Sequence, residues 1–536
     1  MRNVECGVRN DVHSAFRILH SALMHRLLAV LLLAPLPLAA QAAPRADTPR
    51  RGAVRITFDA VVETWDARFA NGRRERLGAA LTGDSVGGAS LPVVARLEQD
   101  VRTAGAVPGF IASLGRGLFS LRAERRTTPL GIEFGVSDRL SIGVMLPLVR
   151  VFTRAHLTLD TAAANLGLNP LIANPMVAGP QYMTFFSQFD QALADLAQNI
   201  DGGSYGCPSG PQCAQAMAFL AEARGVRDAL NRSTYGPGGA PFLPRADTDG
   251  GAGIDANVAR IQQELTATWG VGGFVQTFLL PVDTLDAARF DAALADPNTG
   301  FGVAPFTTTP RRLRFWPGDA EVGARFRLAR GPVYNATVGA LVRLPTGHVD
   351  SPNDAIDLPA GDGQTDFEGQ LVQELLVARR LWLNVNVRAG IQRPGARERR
   401  VGSPLAFLLP PGATARTEWD PGDYVALDLA PLYRFSEFFA AGFTIGYLAR
   451  GLDRSTFATP QDSIDVATRL GGPVSAAVLD AGTDWRRTRV GLALTYLGPD
   501  MDAGFSIERT VSVVGAAPVP AATVFRIVLR AAPRLF

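Results

Sequence analysis

Lysine is missing from this chain: all 53 basic residues are arginine, set against 50 acids, for a formal charge of +3. Taking away residues 1–42 removes four Arg and two acids and leaves the remainder close to neutral. That balance gives no electrostatic footing for nucleic acid, and the lack of lysine reads as the mark of a GC-rich genome. Uninterrupted apolar runs are also missing. Nothing beyond the first forty residues approaches the roughly 20 apolar residues of a membrane-spanning helix, which excludes a helical inner-membrane protein. Histidine is sparse, at five, and only His156 and His348 lie beyond residue 25. Of three cysteines, Cys6 lies in the leader region. Cys207 and Cys213 enclose Pro-Ser-Gly-Pro-Gln; in an oxidising envelope such a pair reads as a disulfide, with two free thiols as the alternative. No histidine stands near enough to make them a metal site.

The leader itself is legible. Arg26 precedes the apolar run Leu27–Ala40, which ends in the small-x-small pattern Ala40-Gln41-Ala42. A charged region, a short apolar region and a cleavage site make residues 1–42 a signal peptide, with maturation near Ala43. Met24 just before it suggests that residues 1–23 are a mis-assigned start or a dispensable extension.

Alternation with period two dominates from residue 318 onward. Val322, Ala324, Phe326 and Leu328 alternate with Glu321, Gly323, Arg325 and Arg327. Leu381, Leu383, Val385 and Val387 alternate with Trp382, Asn384, Asn386 and Arg388; Val490, Leu492 and Leu494 alternate with Arg489, Gly491 and Ala493. The final segment alternates likewise through Phe525, Ile527 and Leu529 to the terminal Phe536, although Leu535 rather than Phe536 keeps the apolar phase. Tight turns at 137–139, 330–332, 379–380, 436–437 and 498–500 alternate with long Gly/Pro/Asp-rich loops at 347–363, 394–421 and 451–483. Short turns on one rim and long loops on the other suit a transmembrane β-barrel. Strands at about 53–65, 117–136, 139–152, 318–329, 332–346, 364–378, 380–393, 422–434, 437–450, 484–497, 500–511 and 521–536 number about twelve, an even count that puts both ends at the short-turn rim. A soluble β-sandwich is the alternative. Against it stand the segregation of turn lengths, the aromatic end and a polar face rich in Gly, Thr and Asn.

The expected fold class is therefore all-β, a closed antiparallel transmembrane barrel of about 12 strands with a helical extracellular insertion. Residues 43–153 supply the first strands, 154–316 the insertion, and 317–536 the rest. Two local irregularities stand out. The apolar phase flips around Pro129, as a bulge or a second strand would require, and Gln373 interrupts an apolar face. In the insertion, Phe185, Phe186, Phe189, Leu193, Leu196 and Ile200 recur at helical spacing after Thr184, a candidate N-cap. Met217, Leu220, Val226 and Leu230 predict a second helix, Val258, Ile261, Leu265 and Trp269 after Asp255 a third, and 285–294 a shorter fourth. This subdomain could cap the barrel, plug it, or pack on itself as a surface ornament.

The inward face carries the candidate functional set. Arg325, Arg327, Arg343, Arg388, Arg489, Arg526 and Arg530 share the polar phase with Glu133, Glu321, Glu368, Glu374, Asp428 and Glu508. Facing lipid, arginine costs roughly 2–4 kcal/mol at the midplane, so these side chains are expected to line the lumen. There they either pair and fill the interior or line a selectivity path. His156 and His348 sit where strands meet long loops, yet no motif sets a nucleophile beside them, so rim catalysis is the third-ranked reading. Asp247, Asp249 and Asp255 lack the full ligand series of a calcium loop and read as a turn with an Asp cap. The acids Asp350, Asp354, Asp357, Asp362 and Asp366 read as solvated loop residues. No catalytic residue, cofactor or metal is expected.

The run Leu130 to Val144 through Ser137-Asp138-Arg139, together with Gly318-Asp319-Ala320-Glu321, Leu344-Pro345-Thr346-Gly347 and Gly361-Asp362-Gly363-Gln364-Thr365-Asp366, resembles the outer-membrane barrel proteins named for a role in meta-pathway phenol degradation. The likeness covers most predicted strands and not the helical insertion, which replaces a short loop. It implies passage of small aromatic or other apolar compounds. The leading expectation is thus an outer-membrane diffusion channel in a Gram-negative envelope. The alternative is a surface binding or structural protein anchored by its barrel, and a rim hydrolase comes third. Expected partners are outer-membrane lipid and lipopolysaccharide, the barrel-assembly machinery and small apolar or aromatic solutes. No energy-coupling box is evident.

Overall fold

The computed structural model describes residues 45–236, 239–308, 311–403, 406–498 and 501–531. The expected signal peptide, Met24, Leu535 and Phe536 lie outside the described residues. The chain runs as an antiparallel meander: β1 (Val54–Trp65), β2 (Arg116–Gly135), β3 (Leu140–Asp160), β4 (Arg311–Pro317, resuming as Glu321–Arg330), β5 (Tyr334–Arg343), β6 (Asp366–Ala378), β7 (Leu381–Gln392), β8 (Tyr424–Arg434), β9 (Phe439–Arg450), β10 (Trp485–Leu497), β11 (Met501–Gly515) and β12 (Thr523–Ala531). Each pairs with the next, and both pieces of β4 lie along β3. The ring closes where β1 meets β12, from Ile56 opposite Ala531 to Thr64 opposite Thr523. The expected twelve-stranded closed barrel is therefore the observed one, with Val54 and Ala531 both at the short-turn rim.

Closure leaves an apolar exterior. Ile132 is 60% exposed, Phe443 64% and Leu492 56%, within a belt that continues through Ile56, Val144, Leu328 and Ile527. Monomeric soluble proteins do not expose a belt of this kind. At the short-turn rim, Tyr334, Tyr433, Phe435, Phe438 and Tyr496 supply the aromatic girdle expected at a lipid–water boundary. Gln373, the polar residue on this face, accepts a hydrogen bond from the Tyr334 hydroxyl at 2.9 Å.

The phase flip at Pro129 is not a bulge. β2 and β3 pair without a register shift from Arg116–Asp160 to Gly135–Ser141, with Pro129 opposite Pro147. What changes is the medium. Near the short-turn rim the outward residues Leu130, Ile132 and Phe134 are apolar; farther along, the inward residues Phe119 and Ala123 of β2 and Val149, Val151, Ala155 and Leu157 of β3 are buried. The two strands rise past the membrane, and there their inner face supports a packed core.

That core belongs to the insertion. It joins α2 (Pro175–Asp201), α3 (Pro211–Tyr235), α4 (Asp249–Ala267) and α5 (Ala287–Ala295) to Phe119, Ala155 and Leu157. A further helix, α1 (Pro92–Ala104) between β1 and β2, contributes Leu97 and Val101 and escaped the sequence reading. Phe185 and Phe189 are fully buried, the latter stacked on Phe274 at 4.4 Å, each contributing about 1.5–3 kcal/mol by burial. Several predicted details need correction. α2 starts at Pro175, so Thr184 is not its cap but an internal residue bonded to the Pro180 carbonyl. α4 begins at Asp249 after Thr248, placing Asp255 inside the helix, and Met217 is exposed. Cys207 and Cys213 form the disulfide between α2 and α3. Two of the long loops carry structure as well. Strands Gly395–Arg400, Thr414–Asp420 and Arg454–Phe457 make a small sheet, followed by α6 (Pro460–Leu470), which has a Thr459–Asp462 capping box.

Replacing Phe443 with Arg puts a charge in the lipid belt and is expected to cost about 2–4 kcal/mol, measured as equilibrium refolding into lipid vesicles. The insertion has its own pH sensitivity. Burial alone would raise the pKa of Asp291, but hydrogen bonds from Thr307 N at 2.9 Å and Thr308 N at 2.7 Å hold it below the usual carboxylate range. The stabilisation is therefore complete above the unfolded carboxylate value of about 3.9 and lost as pH falls through the lowered one. Amide protection at Thr307 and Thr308 should hold at pH 6, collapse under strong acid, and be weakened at both pH values in Asp291→Asn.

Candidate functional site: the barrel lumen

Because side chains alternate along each strand, closure aims one set of polar residues from every strand at a common axis. Midway along it lies a cavity of about 430 Å³. Its wall includes Val61 of β1, Met145 of β3, Glu321 of β4, Arg343 of β5, Glu368 and Gln370 of β6, Asn386 and Arg388 of β7, Asp428 of β8, Thr444 of β9, Arg489 of β10, Glu508 of β11 and Arg526 of β12. Every strand but β2 contributes, and no residue of the insertion 154–316 does. The insertion packs instead on the inward Phe119, Ala155 and Leu157 of β2 and β3, beyond this cavity.

The expected charges pair around this wall. Arg343 reaches Glu321 at 2.9 Å and Asp366 at 3.1 Å. Arg388 bridges Asp428 at 3.2 Å and Glu368 at 3.9 Å. Arg489 faces Glu508 at 3.6 Å. Arg526 donates through Nε to both oxygens of Asp59, at 3.0 and 2.9 Å. Arg530 pairs with Asp502 at 3.1 Å, and Arg325 with Glu133 at 3.6 Å. Arg327 departs from the set: it is buried and donates to the Asp138 carbonyl in the short β2–β3 turn. Glu374 meets a main-chain donor, the amide of Ala46, at 3.3 Å.

Several site residues were missed. Asp59, Asp502 and Arg55 sit on the polar phase of their strands and were within reach of the same alternation argument. Asp366 was assigned to a solvated acidic loop; it is the first residue of β6, fully buried, and holds Arg343. Its former companions are also engaged: Asp354 pairs with Arg312, and Asp357 with His348 at 3.2 Å. Tyr424 gave no sequence signal. Its ring lies over Gly390, where an added Cβ would fall 2.3 Å from ring atoms, and its hydroxyl donates to Glu368. With Arg343 and Arg388, Tyr424 narrows the end of the lumen toward the long loops.

The opposite end is crossed by the segment just before β1. Arg45 lies 3.7 Å from Asp502 of β11, its carbonyl accepts from Arg325 of β4, the neighbouring Ala46 amide reaches Glu374 of β6, and Asp47 pairs with Arg55 of β1 at 2.9 Å. Four strands on different sides of the ring hold three consecutive residues, and Ala46 and Thr48 are buried. No alternation pattern could have signalled this.

The two histidines do not build a hydrolase. His156 is exposed on the outer face of β3, 3.4 Å from the Thr158 hydroxyl. His348 stacks on Trp316 at 3.9 Å while bonding Asp357. No serine or cysteine bonds either ring among the described residues. Asp247 pairs with Arg245 and Asp249 opens α4, so the triplet forms no ion-binding loop, and no cluster of metal-ligating side chains occurs among the described residues.

No family model and no curated protein matches the chain. Among solved structures it is similar to an outer-membrane channel from Pseudomonas putida F1, at 8% identity over 92% of this chain and 100% of that one, TM-score 0.40. It is also similar to the Ralstonia pickettii toluene transporter TbuX, at 8% identity over 90% and 89%, TM-score 0.28. A Pseudomonas aeruginosa FadL homologue matches at 9% identity over 90% of each chain, TM-score 0.25. The fold assignment stands on the strand register, to which likenesses this weak add nothing.

Asp59 is 5% exposed and its partner Arg526 about one-third exposed. Asp59→Ala takes away that carboxylate and is expected to cost about 2 kcal/mol, less than the 3–5 kcal/mol of a fully buried pair. Urea unfolding of the purified barrel measures it.

Proposed function

We propose that this protein is a passive diffusion channel of the bacterial outer membrane for small molecules, with apolar and aromatic compounds as the solute class. The observation that carries the reading is the axial cavity of about 430 Å³, walled by eleven of the twelve strands and free of the insertion. A barrel built only as an anchor has no need of an unfilled axis. In a bilayer the closed ring satisfies every strand edge, and the short-turn rim faces the periplasm by the usual asymmetry of such barrels. Solute then enters beneath the helical cap, passes the Tyr424–Glu368–Arg343 narrowing, and leaves past residues 45–48. The paired charges give the wall alternating sign with little net field, so it imposes no strong barrier on an uncharged molecule.

The chemistry we propose is passage and not conversion: among the described residues no serine or cysteine bonds either histidine, and the Ser141 hydroxyl that donates to Glu133 is fully buried in the wall. The runner-up, a barrel-anchored surface binder, draws support from the exposed Met176, Met183, Val275 and Val282 on the cap.

Single-channel conductance and toluene uptake into liposomes test the reading. The wild-type protein should conduct weakly. Arg45→Ala with Asp47→Ala, which frees residues 45–48 from Asp502 and Arg55, should raise conductance severalfold. No current and no uptake in either protein would overturn the channel and leave the anchored binder.

A further inference from the structure

Above the lumen the long loops enclose a second cavity, of about 530 Å³, which the conduit as described leaves without a role. Its lining includes Trp419, a 6%-exposed residue of the loop strand Thr414–Asp420. Three arginines converge on that one ring. The guanidinium carbon of Arg397 lies 3.8 Å from the ring centroid, that of Arg399 4.6 Å and that of Arg450 5.8 Å. Arg397 and Arg399 alternate on the loop strand Gly395–Arg400 and so share a face.

The counter-charges are unevenly shared. Asp453 holds Arg450 at 2.9 Å and is further occupied by the Trp419 Nε1–H and the Gly422 amide, each at 3.0 Å. Arg397 has Asp350 at 3.9 Å, too long for a hydrogen bond. Arg399 has no carboxylate within 4 Å and no hydrogen-bond acceptor among the described residues. Burial pushes its pKa down, with Asp350 and Asp453 opposing. Stacking on an aromatic face returns only part of what a desolvated cation loses. The adjacent Arg400 shows the contrasting arrangement: its guanidinium is taken up by the carbonyls of Phe301, Gly302 and Leu409. The cavity thus offers two guanidinium groups, Arg397 and Arg399, without a hydrogen-bonded carboxylate among the described residues, although Asp350, Asp362, Glu398 and Asp453 also line it. Leu408 and Leu479 make part of the wall apolar, and the volume falls in the range of ordinary small-ligand sites.

We infer that this vestibule binds a small organic anion, a carboxylate on a compact apolar or aromatic body. The head group pairs with Arg399 and Arg397, in the forked geometry guanidinium favours, and the body lies against Leu408 and Leu479. A neutral aromatic would fill the apolar wall and leave Arg399 uncompensated; inorganic phosphate would do the reverse. Placing the site on an entry route rests on the channel reading, whereas the binding itself does not.

Equilibrium dialysis of the detergent-purified mature protein against benzoate, benzyl alcohol and inorganic phosphate tests the inference, with potassium chloride conductance recorded on the same samples. Benzoate should bind at least tenfold more tightly than either of the others. Arg399→Gln and Arg397→Gln should each weaken benzoate binding tenfold or more while the barrel stays folded by its heat-modifiable gel mobility, and Arg399→Lys should retain more affinity than Arg399→Gln. Equal binding of benzoate and benzyl alcohol would overturn the site as an anion site. Phosphate binding as tightly as benzoate would make it a general phosphate site, such as lipopolysaccharide could occupy, and would also overturn the inference, as would undiminished benzoate binding by the variants. Benzoate binding without conductance would defeat the channel and leave this site standing.

Discussion

A strand that faces hydrocarbon has nowhere to put an unpaired amide or carbonyl. Each one left open costs several kcal/mol, so the edge of β1 must meet the edge of β12. That single constraint fixes much of the rest. Once Ile56 stands opposite Ala531, the period-two pleat divides every strand into a lipid side and an axial side. Placing arginine and carboxylate on the axial side follows from cost alone, and function then works with the interior that results.

The interior shows how a charged lumen is kept soluble without becoming a strong field. Arg343, Arg388, Arg489, Arg526 and Arg530 each stand within 4 Å of at least one carboxylate. The pairs run around the ring from strand to strand, crosslinking the wall while leaving space along the axis. Bulk is added at the ends, where Tyr424 folds over Gly390 on one side and residues 45–48 cross on the other. The lumen is thus a chamber between two narrowings, covered by a helical cap that borrows the upper inner faces of β2 and β3.

Much of this was legible beforehand, for a physical reason. Alternation is a local property, so the strands, the turn–loop asymmetry and the inward phase of Arg388 or Glu508 could be read from a dozen residues at a time. The failures are equally instructive. At Pro129 the pattern seemed to break because the inner face stops meeting the aqueous lumen and begins meeting Phe306 and Phe407, on which Phe119 packs; the strand itself is regular. Asp366 looked like a loop acid because only the position of Arg343 on the next strand makes it a lumen residue. Helix α1 went unnoticed because its apolar stripe is short and finds its partners in α3 and α4, more than a hundred residues away.

By itself, the sequence determined a closed barrel of twelve strands, which side of each strand is greasy, where the helices of the insertion fall, and which two cysteines could join. Those follow from periodicity, backbone hydrogen bonding and the cost of charge in lipid, all of which act between near neighbours. The tertiary structure alone decided that the insertion packs on the upper inner faces of β2 and β3, that residues 45–48 thread the lumen, and that three arginines gather on Trp419. These depend on contacts between segments tens to hundreds of residues apart, whose meeting is set by the geometry of the closed ring and leaves no local pattern to read.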